Sequence, residues 1–103
     1  MSPEPIVALP IETRYLLTIV VHAAIPQALG QFPTGERRFV AFIGGTFEGC
    51  PGSDLRGVVA EGGVDWQTVR NDGAVEIRAH YLLLTDQGEA IEVQSDGVRM
   101  FTP

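Results

Sequence analysis

The sequence predicts an all-β fold, an antiparallel meander that closes into a barrel or sandwich. Two observations carry this. Short segments rich in β-branched and aromatic residues recur at even spacing, with Gly, Pro, Asn and Asp between them. No stretch holds a capped helical period. A chain of 103 residues fits one domain, 1–103, with 1–10 expected as a flexible N-terminal segment.

Residues 14–23 read as the first strand, because Tyr15, Leu17, Ile19 and Val21 share one face. Pro26 confines the chain that follows to an edge or a bend. Residues 31–35 read as a loop, and 37–43 as the second strand. The pair Gly44-Gly45 inside an extended stretch marks a bulge, a bend or a close backbone approach. Cys50-Pro51-Gly52-Ser53 is turn chemistry. Residues 54–60 and 64–70 are strands separated by a bend at Gly62-Gly63. Asn71-Asp72-Gly73 is a hairpin signal, since these residues accept positive φ.

The clearest strand follows. Val75, Ile77, Ala79, Tyr81 and Leu83 alternate with Glu76, Arg78 and His80, giving one apolar and one polar face. Thr85 to Gly88 turn the chain, Ile91 and Val93 alternate with Glu92 and Gln94, and Asp96-Gly97 reads as a last turn before a strand from Val98 to Phe101.

Composition excludes several chemistries. The net charge is −6, which argues against a nucleic-acid backbone as partner. All seven basic residues are arginine, so lysine Schiff-base chemistry is absent. Cys50 is the lone cysteine, and His22 and His80 lie far apart, so no metal site has a nucleus and no cofactor is expected. No apolar run is long enough for a membrane-spanning helix. The N-terminus does not read as a secretory signal, so the expected compartment is the cytoplasm.

The segments Pro33-Thr34-Gly35-Glu36-Arg37-Arg38, Gly44-Gly45-Thr46-Phe47-Glu48-Gly49, Leu55-Arg56-Gly57-Val58-Val59, Gly62-Gly63-Val64-Asp65-Trp66-Gln67, Asp72-Gly73 and Ala79-His80-Tyr81 follow one another in a recognisable order. Together they resemble uncharacterised protein family 0311, also described as domain of unknown function 3237, from about Leu16 to Arg99. The resemblance implies a calycin-like antiparallel β-barrel and no assigned activity. Members of that family usually continue with several more elements beyond the position of Val98-Arg99. The barrel expected here is thus either incomplete or completed by oligomerisation. Open strand edges favour pairing with another chain, so a homodimer is expected.

Asp65-Trp66 follows the double glycine, where a ligand could approach. Trp66 offers a flat apolar surface and an N–H donor. Asp65 offers an acceptor or, if desolvated, a general base. The alternative is that Trp66 fills the core and Asp65 caps a turn. Tyr81 lies in phase with Ala79 and Leu83, so its hydroxyl donates either to a ligand or to backbone. His80 points to the opposite face. Arg38 is in phase with Val40 and Phe42 and needs a carboxylate, from Asp65, Glu48 or a ligand; Arg37, on the other phase, is expected in solvent.

Three functions compete. The first is binding of a small cyclic or aromatic organic molecule, walled by Trp66, Phe47 and Tyr81 and oriented by Asp65 and Arg38. The second is a cofactor-free lyase or isomerase, with Asp65 moving a proton and Tyr81 or Arg38 stabilising negative charge. The third is a non-catalytic assembly module.

Overall fold

The computed structural model describes residues 10–100, and all its regular structure is β. The strands are β1 (Leu17–Ala23), β2 (Gln27–Phe32), β3 (Gly35–Gly49), β4 (Arg56–Val59), β5 (Val64–Val69), β6 (Val75–Thr85) and β7 (Ala90–Arg99). Every pairing is antiparallel. β3 pairs with β4 and β5, and both of these pair with β6, so hydrogen bonds close a four-strand circuit. β1 and β2 add to β3, and β7 adds to β6. The fold is the expected all-β, barrel-like antiparallel meander.

The registers show how the strands share space. β5 pairs with residues 36–41 of β3 and β4 with residues 46–48, so β4 and β5 follow one another along the same edge. Phe42 carries the ladder across the gap, donating to Gly63 O at 2.8 Å and accepting from Gly62 N at 3.2 Å. β1 and β2 likewise lie in tandem along the opposite edge of β3. Among the described residues, no strand pairs with the outer edges of β1, β2 or β7.

Of the alternatives at the double glycine, a bulge and a close backbone approach are both present. His22 pairs with Gly44 and Ala23 with Phe42, which leaves Ile43 as the extra residue. Gly45 has a φ of 141°, and a Cβ there would overlap the Val20 carbonyl oxygen. Glycine is therefore required where β1 crosses β3. The turn at 70–74 also forms as expected: Gly73 adopts φ 90°, and Asp72 Oδ1 accepts from Ala74 N at 3.0 Å. That hydrogen bond, with help from Arg70, holds the Asp72 carboxyl below its ordinary pKa.

Two expectations fail. Residues 27–32 form a strand, of which 31–32 were expected in the loop; β2 is exposed throughout, so no burial pattern announced it. Asp96-Gly97 is not a turn, because β7 runs through it, with Asp96 paired to Arg78 and Gly97 to Ile77. Phe101 and the N-terminal segment other than Pro10 lie outside the described residues.

The core lies on one face of the sheet. Phe47, Val59 and Leu83 are its fully packed centre, with Ile19, Val21, Leu55, Tyr81, Ile91 and Val93 against them. Burying each large apolar side chain contributes about 1.5–3 kcal/mol. A second buried stretch, Val40, Phe42, Val75 and Ala79, continues the same face past β5. Among the described residues, no helix is long and apolar enough to cross a membrane.

Candidate functional site

The site follows from strand alternation in β5. Asp65 and Gln67 are two residues apart and share a face, and both are buried at 9% and 7% exposure. The ladder sets Asp65 between Val40 and Ala79, and Gln67 between Arg38 and Ile77. Two polar side chains thus sit on the inner face, with Arg38 beside Gln67 and apolar Val40 and Ala79 flanking Asp65.

They are joined in a chain. Arg38 Nε donates to Gln67 Oε1 at 2.7 Å, and Gln67 Nε2 donates to Asp65 Oδ2 at 2.7 Å. A guanidinium has only donors and a carboxylate only acceptors, so the amide can face them in one orientation alone. Arg38 was expected beside a carboxylate but meets the neutral Gln67 amide instead, and Gln67 in turn links it to Asp65. Asp65 Oδ1 is buried and has no hydrogen-bond partner among the described residues. An unmet acceptor in such a place costs about 1–3 kcal/mol relative to a paired one.

Tyr81 lies on the same face of β6, next in phase after the Ala79 that faces Asp65. Phe42 packs edge-on against its ring, with centroids 5.2 Å apart and planes at 66°. A side chain on Gly63 would collide with Tyr81 Cβ, so the double glycine lets the Tyr81 strand approach closely. Partial burial raises the Tyr81 phenol above its ordinary pKa, which keeps it protonated and able to donate. A hollow of about 190 Å³ at this bend is lined by residues 60–63 and by His80, Tyr81 and Leu82.

Other candidates fall elsewhere. Trp66 is separated from Asp65 by the same alternation that joins Asp65 to Gln67. It stands on the outer face, 42% exposed, against Phe39 at 5.6 Å. The two residues therefore do not wall one pocket. Phe47 is packed in the core at 3% exposure rather than set beside the polar chain. Arg37 is not simply solvated: it is half-buried, and its Nε is buried without a partner. His80 is on the outer face as expected, and its Nε2 lies 3.6 Å from Glu92 Oε1. Gln67 was not among the expected residues, although its phase with Asp65 placed it there. Among the described residues, no cluster of three or more His, Cys, Asp or Glu side chains is arranged to hold a metal ion.

Comparison with known proteins agrees with this architecture. The family described as Protein of unknown function (DUF3237) matches residues 11–103. A UPF0311 protein of Rhodopseudomonas palustris (strain TIE-1) is 32% identical over 89 residues, covering 86% of this chain and 56% of its own. A crystal structure of a protein with unknown function from Clostridium acetobutylicum superimposes with a TM-score of 0.80 at 31% identity, over 87% of this chain and 61% of that one. A beta-barrel like protein from Acinetobacter baumannii does so with a TM-score of 0.65 at 33% identity, over 84% and 58%. The chain thus spans little more than half the length of the relatives it matches. It belongs to the DUF3237 family of proteins of unknown function.

Proposed function

We propose that the inner face binds a small cyclic or aromatic organic molecule that carries a hydrogen-bond donor. The observation behind this is Asp65 Oδ1, a buried acceptor with no partner, on a carboxylate whose other oxygen is tied to Gln67. A hydroxyl or phenol would complete it. The ring would lie over Val40 and Ala79, with the protonated Tyr81 hydroxyl as a second polar contact. The test is calorimetric titration of the protein with phenols and cyclic alcohols beside their methyl ethers, repeated with Asp65→Ala after circular dichroism has shown it folded. Saturable binding of the hydroxyl compounds, weakened about tenfold by the ether or the mutation, supports the reading. Equal binding to both proteins refutes it.

The same site admits proton transfer by Asp65 as a second reading, because an oxygen free of partners can accept a proton from a bound carbon or oxygen acid. Turnover of a bound compound that persists unchanged in Asp65→Ala would remove that mechanism.

Pairing between copies is a separate reading, favoured by the unpaired outer edges of β1, β2 and β7. Sedimentation showing one monomeric species at all concentrations would dispose of it.

A further inference from the structure

The outer face of the sheet holds a groove of about 580 Å³ at the end away from the core cluster. The ladder builds it from two rows. One row runs Arg37, Thr68, Glu76, Val98, and the next runs Trp66, Arg78, Asp96. These residues are out of phase with Asp65 and Gln67, so the groove and the inner polar chain lie on opposite sides of β5.

The groove carries two arginines, Arg37 and Arg78, and two carboxylates, Glu76 and Asp96, so its formal charges balance, but its ion pairs leave Arg37 out. Arg78 Nε is 3.1 Å from Asp96 Oδ1, and Glu76 Oε1 is 3.8 Å from Arg70 Nη1. Asp96 is thus paired with Arg78, and Glu76 shares Arg70 with Asp72, whose Oδ2 lies 2.6 Å from Arg70 Nη2. Arg37 has no carboxylate in ion-pair range among the described residues, and its Nε is buried without a hydrogen-bond partner. In a chain of net charge −6, the groove thus presents one guanidinium that stands outside every ion pair among the described residues. Its diagonal neighbour on the same face is Trp66, half-exposed and propped by Phe39. Diagonal positions across an antiparallel pair stand about 7–8 Å apart, within reach of both ends of an aryl acid.

We infer that this outer groove is a binding site for a small aromatic carboxylate. Its carboxylate meets the Arg37 fork and its ring lies on Trp66. The planar guanidinium matches a carboxylate through paired N–H donors, and the indole supplies the stacking surface. The site is independent of the inner face and does not need the ligand proposed there.

Trp66 is the only tryptophan, so its fluorescence reports this groove directly. The full chain is titrated with 4-nitrobenzoate, and in parallel with 4-nitrobenzyl alcohol, which has a similar ring and no charge. The expected result is saturable quenching by the carboxylate, weakened about tenfold in Arg37→Gln and reduced by added salt. Arg56→Gln, which removes an exposed arginine of β4 outside the groove, should bind as the parent does. Equal quenching by acid and alcohol, an unchanged Arg37→Gln, or an unsaturable response overturns the assignment. So does equal loss in Arg56→Gln, which would make the response one of overall charge. If Arg37→Gln does not fold, Arg37→Lys replaces it: the charge stays and the fork is lost, so affinity should fall while the salt dependence remains. Undiminished affinity in the lysine variant would overturn the proposed fork.

Discussion

Replacing Gln67 by leucine keeps the volume of a buried side chain and removes both hydrogen bonds that join Arg38 to Asp65. The Arg38 end is part-buried, so water recovers some of that bond, and its loss costs about 1 kcal/mol. The Asp65 end is buried and charged, and Oδ1 already lacks a partner. Stripping Oδ2 as well leaves a carboxylate with no protein donor, at a cost of about 2–3 kcal/mol. The expected loss is about 3 kcal/mol, a large fraction of the roughly 5–15 kcal/mol that holds a domain folded. Urea denaturation followed by circular dichroism measures it as a fall in midpoint at constant slope. The control is the triple variant Arg38→Met, Gln67→Leu, Asp65→Leu. Removing every member of a polar chain leaves no orphan, so the triple should be less destabilised than Gln67→Leu alone. A Gln67→Leu variant within about 0.5 kcal/mol of the parent, or a triple that loses more than the single, would refute the reasoning.

Two further outcomes follow from close contacts and from titration. A Cβ on Gly57 would run into the Leu84 carbonyl oxygen, whereas one on Gly97 would meet nothing. Gly57→Ala should therefore separate β4 from β6 and lower the melting temperature by several degrees, while Gly97→Ala leaves it unchanged or slightly higher. Burial raises the Tyr81 phenol above its ordinary value near 10, so the native state holds that proton more tightly than the unfolded chain. Its contribution is complete below about pH 10 and is lost as the pH rises through the native pKa. Ultraviolet titration should show one of the two tyrosines ionising late, and Tyr81→Phe should abolish that component.

How much of this was legible in the sequence depended on burial. Residues 75–83 announced β6 because one face is buried, which imposes strict alternation. β2 carried no such signal: Gln27-Ala28-Leu29-Gly30-Gln31-Phe32 is exposed along its length and is a strand because β3 offers it an edge. Asp96-Gly97 carried a misleading one, since glycine permits a turn without compelling it, and pairing with β6 fixed the extended form. At the site, phase correctly placed Arg38 on the inner face with Asp65. The intermediary was missed because a glutamine is weak evidence by itself; its role depends on an arginine twenty-nine positions away. Asp65 and Trp66 were read as one site from adjacency, although neighbours on a strand face opposite ways.

The tandem arrangement of β1 with β2, and of β4 with β5, has a kinetic meaning. Taken as rows, the sheet pairs each stretch of chain chiefly with the stretch just before or just after it in sequence. Such a molecule can grow by successive hairpins, without a long loop having to close first. It can also open in the reverse order. Among the described residues β7 pairs only with β6, and β2 only with β3, so either can detach while the ladder between them stays intact. Amide exchange should accordingly be graded across the rows, slowest in β3, β5 and β6 and fastest in β2 and β7. Detaching β7 would uncover the edge of β6 that faces away from β5, beside Tyr81, and detaching β2 would uncover β3 beside Arg38. The β2 border lies against Arg38 of the buried polar chain and the β7 border against the strand of Tyr81, so a molecule bound on the inner face would be felt as a slowing of exchange at both.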